Sequence, residues 1–211
     1  MTIQMTTVPP KPLGLRPAVA VIAAACALSS GAALVAAIVL DRPLWLSSSF
    51  VFVPGFVAFV ALTVFVRRDE QALFLVRLKS GLVAGAWATV AYDGVRWIIE
   101  RLDLVSVNSF QAIRIFGAGL TGASATGNAA LAAGWAFHVV NGFGFGLAYV
   151  FVAAGRRWEW AVAYALVLES FMIMLYPGWL GFSMNGEFLT VSITAHLTFG
   201  TVLGRLAARV P

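Results

Sequence analysis

AFHVVNGFGFGLAY, residues 136–149, sets a histidine, an asparagine and three closely spaced glycines inside an apolar run long enough to cross a bilayer. A continuous apolar run of that length reads as a membrane-spanning helix, the form in which every backbone polar group is satisfied within the segment. The same skeleton returns near the C-terminus. His138, Gly142 and Gly146 form H-x3-G-x3-G, and so do His196, Gly200 and Gly204, and these are the chain's only two histidines. Polar groups inside apolar spans turn away from lipid and toward protein. The two segments are therefore expected to run parallel through one membrane and to face a shared polar site.

Composition supports the membrane reading. The 211 residues are 61% hydrophobic and 11% charged, where a soluble domain carries about 25% charged residues. Too little polar surface remains to solvate a globule, and the length leaves no room for a large soluble domain beside several spans. The net charge of +5 is not a nucleic-acid footprint, because the basic residues sit at the ends of apolar runs. The expected environment is a lipid bilayer, with the chain a multi-pass protein of the cell membrane. The single cysteine, Cys26, lies in the first apolar run and reads as a small core residue. That run is longer than the roughly 7–15 apolar residues of a cleaved signal.

The expected fold is all-α: a polytopic bundle of about six transmembrane helices. Residues 1–16 read as a flexible cytoplasmic tail broken by prolines, and residues 17–211 as a single transmembrane domain. The spans fall at about 17–40, 44–66, 80–99, 129–154, 160–176 and 188–208. Pro54 and Gly55 predict a kink in the second span, and Pro177 is expected to end the fifth. Residues 67–79 read as a short amphipathic connection on the membrane surface. Residues 110–119 suggest a short interfacial helix, followed by a run of small residues over 121–128.

Six spans put both termini on one side, and the positive charges choose it. With the N-terminus inside, the cytoplasmic face collects Lys11, Arg16, Arg67, Arg68, Arg77, Lys79, Arg156, Arg157, Arg205 and Arg209. The outer face has Arg42, Arg101 and Arg114. Both termini are thus assigned to the cytoplasm.

In that orientation four ionisable residues from four spans fall at a similar depth in the outer half of the bilayer. At 1.5 Å per residue, Asp93 lies about 10 Å below Glu100, Glu169 about 12 Å below Pro177, and His196 about 13 Å below Glu187. His138 is at a comparable distance below Ala129. Each is unfavourable alone in hydrocarbon, so mutual pairing around one cavity is expected. Arg96, one turn from Asp93, and Asn141, one turn from His138, are placed at the edge of that cavity. The competing structural reading makes Asp93–Arg96 a self-neutralising pair, the glycines close-packing ridges, and Tyr92 and Trp97 interfacial anchors.

No HExxH, GxSxG or P-loop pattern is present. The sequence therefore expects a protein that binds or moves a small solute or proton, with a homo-oligomer or partner subunit because the chain is small. Whether it is an enzyme stays open. Two histidines with Asp or Glu suit an intramembrane zinc enzyme, a histidine on each of two spans suits haem b, and a purely structural or assembly subunit needs no site.

Overall fold

The computed structural model describes residues 14–181 and 185–211. Most of the tail expected over 1–16, and part of the loop beyond Gly181, lie outside those residues. The described residues are mainly helical, with no strand among them.

The first expected span is two helices, α1 (Pro17–Ala27) and α2 (Ser29–Val39), bent by 53° at Leu28. Kinks form at Gly/Ser clusters, where hydroxyls compete for backbone groups, and Ser29-Ser30-Gly31 follows the bend directly. Two glycines of other helices press on this bend. A Cβ on Gly55 would strike the Ser29 side chain, and one on Gly144 would strike the Ala27 carbonyl. The second run is α3 (Leu44–Ser47), a π-helical turn over Ser48–Phe52, and α4 (Val53–Phe65). The wide turn lies immediately before Pro54. There it accommodates a ring that would otherwise crowd the carbonyl four residues back.

α5 (Arg68–Arg101) joins two segments that the sequence reading kept apart, the surface connection and the third span. No proline interrupts it, and its glycines stand singly. Its 34 residues make about 51 Å of helix, well beyond a hydrocarbon core of about 30 Å. The extra turns are anchored: Glu70 and Phe74 are buried, and the backbone N–H and Nε of Arg16 donate to the two Glu70 oxygens at 2.7 and 2.9 Å. Leu15 is thus buried and Arg16 tied to Glu70 at the end of the segment read as a tail.

α6 (Gln111–Thr121) is the short helix expected before the fourth span, and α7 (Asn128–Ala153) is that span. α8 (Glu159–Leu180) continues through Pro177, where the sequence reading ended it. A proline in the last turn forfeits a single backbone bond, and left-handed Gly181 (φ 69°) then terminates the helix. α9 (Gly186–Ala207) is capped by Asn185, whose Oδ1 accepts the Phe188 N–H at 2.8 Å.

Four helical segments are long and apolar enough to cross a membrane: Leu44–Phe65, Arg68–Arg101, Asn128–Ala153 and Glu159–Leu180. The bent α1–α2 pair makes a fifth if taken as one span. α9 has the length, at 22 residues, but four threonines, Ser192 and His196 lower its hydropathy below the others. α7 is the central helix. Its apolar stretch is 56% buried, against 11% for Leu44–Phe65, and it packs on α1, α2, α5 and α6, while α9 packs on α5 and α8.

Direction along the bundle is fixed by α5. Near its start, Arg77 Nη1 donates to the Phe151 carbonyl at 2.8 Å and Nε to the Pro211 carbonyl at 3.2 Å. Near its other end, the Tyr92 ring lies beside His138 and His196. α7 and α9 therefore both run antiparallel to α5. The Arg77 end gathers most of the basic residues. The opposite end carries residues 102–110, Gly181 and Glu187, and is called here the loop end.

Candidate functional site

Both H-x3-G-x3-G segments seat a helix on a neighbour, but on different neighbours. On α7, a Cβ at Gly146 would fall 2.7 Å from the Gly81 carbonyl oxygen, and Gly85 would meet the Gly142 carbonyl at 2.6 Å. One turn further along, Gly142 faces Thr89. On α9, a Cβ at Gly204 would lie 2.5 Å from the Trp158 carbonyl and 2.9 Å from Ala161, and Gly200 faces Ala161, Val162 and Ala165. Such small-residue ridges bring helix backbones into direct contact.

One turn beyond each ridge stands the histidine, and one turn beyond each facing small residue stands a carboxylate. Gly85, Thr89 and Asp93 of α5 oppose Gly146, Gly142 and His138 of α7. Ala161, Ala165 and Glu169 of α8 oppose Gly204, Gly200 and His196 of α9. The α5–α7 and α8–α9 pairs are thus two versions of one device: a close helix crossing that delivers a histidine onto an acid.

The two versions differ in environment. His138 Nε2 lies 2.9 and 3.1 Å from the two Asp93 oxygens, and Arg96 Nη1 donates to Asp93 Oδ1 at 3.1 Å. The Asp93 and His138 side chains keep 19% and 17% of their exposure. In the second pair His196 and Glu169 keep 7% and 2%. His196 Nδ1 lies 2.9 Å from Glu169 Oε2 and 2.9 Å from the Ser192 carbonyl oxygen. Because a carbonyl can only accept, Nδ1 carries the hydrogen, and its alignment favours Ser192. Both Glu169 oxygens are consequently buried without an aligned donor among the described residues.

Tyr92 stands between the pairs. Its ring centroid is 6.0 Å from that of His138 and 5.0 Å from that of His196. The two imidazoles therefore lie no more than about 11 Å apart, within reach of a short bridge of waters. The Arg96 guanidinium sits over the Tyr92 ring at 5.0 Å and over the Phe110 ring at 4.5 Å.

Two spaces meet here. An outer cavity of about 440 Å³ opens at the loop end, bordered by Ser106, Ser109 and Gln111, and reaches Tyr92, Arg96 and His138. An inner chamber of about 70 Å³ continues past His138 to Asn141 and His196. Residues 102–110 are pinned over the mouth. Ser106 donates from its N–H and hydroxyl to Glu187 Oε2 at 2.8 and 2.7 Å, and the Ser109 N–H donates to Glu100.

Of the six residues proposed from sequence, Arg96 and His138 line the outer cavity, and His138, Asn141 and His196 line the inner chamber. Asp93 and Glu169 line neither; each stands behind its histidine. Asn141 is deeper than the rim position expected for it, and its buried Oδ1 has no hydrogen-bond partner among the described residues. Tyr92, read as an interfacial anchor, is 9% exposed at the centre of the site. Its spacing carried the signal, since Gly81, Gly85, Ala88, Tyr92 and Arg96 fall on one face of α5. Trp97 is exposed with Arg101 stacked on it, as an anchor would be. The aromatic wall formed by Phe116 and Tyr176 had no sequence signal, because it depends on how α6 and α8 dock.

No three His, Cys, Asp or Glu side chains converge as a metal-ligand set among the described residues. Each histidine faces a single carboxylate, so the described residues do not gather the ligand set that the alternative of a zinc enzyme needs. A haem fits no better, because the inner chamber, lined by both histidines, holds about 70 Å³. No protein-family model, curated protein or solved structure matches the chain.

Proposed function

We propose that the chain is an integral membrane bundle of six spans with both termini cytoplasmic, and that its cavity admits a small solute and protons from the outer face. The six spans are the bent α1–α2 pair, α3–α4, α5, α7, α8 and α9. The loop end then faces outward, and the basic end lies in the cytoplasm, following the asymmetry of Lys and Arg. The observation that carries the functional reading is the pair of histidine–carboxylate contacts at two levels of solvent access around Tyr92.

Ionisable groups inside spans mark proton or solute paths, and groups of one kind in different environments hold protons with different affinity. Asp93–His138 exchanges protons with the cavity. Glu169–His196 is the sealed acceptor. The inner chamber has room for water, and Asn141 Oδ1, which has no partner among the described residues, would hold one there. Below this level the Gly85–Gly142–Gly146 crossing closes the path toward the cytoplasm.

Proteoliposomes carrying the protein should dissipate an imposed pH gradient faster than protein-free liposomes. Asp93→Asn should remove most of that flux, about tenfold or more, since a positioned proton carrier is worth at least that much. Flux equal to that of empty liposomes would sink the reading. The orientation has its own test. A reporter fused after Arg209 should be active only in the cytoplasm, and one inserted in 121–128 only outside; the reverse pattern would put the cavity on the wrong side.

A further inference from the structure

We propose that the outer cavity selects a small organic anion, a monocarboxylate with an apolar body, and that Arg96 is the residue that recognises its charge. This rests on the reading of the cavity as a solute site. The argument starts from which charges near the mouth are already engaged. Three acids beside it are engaged by protein donors: Asp93 by Arg96 and His138, Glu100 by the Ser109 N–H, and Glu187 by Ser106. No carboxylate is among the described residues that line the cavity.

The donors are in the opposite state. Arg96 makes one hydrogen bond among the described residues, from Nη1 to Asp93. A guanidinium has five N–H donors in a planar fork, and this one lines the cavity. The Tyr92 and Phe110 rings lie 5.0 and 4.5 Å from its central carbon, contacts that use the π-face of a guanidinium and leave its N–H donors for a carboxylate bound side by side. The Arg96 side chain is 8% exposed, and a charge so enclosed interacts more strongly with an anion than a surface arginine does.

The remainder of the cavity sets the body of the ligand. Ile113, Phe116, Met172 and Tyr176 contribute apolar lining to it. A volume of about 440 Å³ lies in the range of small-molecule pockets and is too small for a two-chain lipid. Among the described residues Arg96 is the sole permanent cation lining it, so its free donors can seat one carboxylate.

Benzoate, benzamide and benzylamine share one ring and differ in charge, and all are smaller than the cavity. Calorimetry on the purified full chain in a neutral detergent should show saturable benzoate binding, with benzamide and benzylamine at least tenfold weaker. Arg96→Gln should weaken benzoate at least tenfold while leaving benzamide unchanged. The comparison on the unmodified protein stands even if that variant folds poorly. Preference for benzylamine, equal binding of benzoate and benzamide, or no saturable benzoate binding would each overturn the assignment of an anion to Arg96. Proton flux that persists under any of those outcomes would leave the reading of a proton and solute path intact, whereas its absence would remove that reading by itself.

Discussion

Gly146→Leu is expected to abolish the folded protein, whereas Gly94→Leu, on the same crossing pair of helices, is expected to be tolerated. At Gly146 even a Cβ would overlap the Gly85 Cα and sit 2.7 Å from the Gly81 carbonyl oxygen. Those are backbone atoms, so no rotamer change relieves the clash. Overpacking in a closed core typically costs about 1–3 kcal/mol, and separating two backbones should cost more. The damage would spread to the site, because the same crossing sets His138 against Asp93. Gly94 has nothing within 4 Å of its Cβ position, and leucine gains roughly 1 kcal/mol of helix propensity over glycine there. Thermal stability of the two variants in mild detergent, followed by size-exclusion chromatography, decides the matter. Equal melting temperatures would mean that α5 and α7 do not meet as described. Gly31, which lies in the first apolar run and looks inert in sequence, is a poor control, because its Cβ position is 3.0 Å from the Phe145 ring.

The glycine contrast shows which parts of the fold were legible in the sequence. Hydropathy marked six of the helical runs, because each is a long apolar stretch. Breaks were harder. The bend at Leu28 and the continuity through Lys79 and Ser80 are set by what packs against them, Gly55 and Gly144 in one case and the buried Glu70–Phe74 turns in the other. Pro177 was misread for a related reason: a proline in the final turn removes little, and Gly181 decides where that helix ends.

The site followed the same pattern. Depth along each span, a quantity in the sequence, put Asp93, His138, Glu169 and His196 at one level, and the structure sorts them into two pairs at that level. Which histidine takes which acid was not in the sequence, since it depends on the α5–α7 and α8–α9 crossings. The repeated glycines held that information in a form readable only once their partners, Thr89 and Ala165, were known. Tyr92 and residues 102–110 escaped because a tyrosine near a span end and a polar loop each have a commonplace explanation.

Asp93→Ala carries the second large expected effect. Asp93 is the sole hydrogen-bonded partner of Arg96 among the described residues, and the Arg96 side chain is 8% exposed. Removing the acid strands a buried guanidinium and leaves His138 without its acceptor. Breaking one side of a buried ion pair costs about 3–5 kcal/mol. Glu70→Ala is the natural comparison. It removes a more deeply buried carboxylate, 3% exposed against 19% for Asp93, but its partner Arg16 has a side chain 52% exposed. Water can solvate that arginine once the acid is gone, so the cost should be nearer 1 kcal/mol. The double change Asp93→Ala with Arg96→Met should recover much of what Asp93→Ala loses, because it removes the stranded charge as well as its partner. Denaturation midpoints of the three variants test the ordering. If Asp93→Ala were no worse than Glu70→Ala, or if the double variant were as unstable as the single, Arg96 would already be solvated through the cavity. It would then be an ordinary surface charge, with no reserve of electrostatic energy for a bound anion.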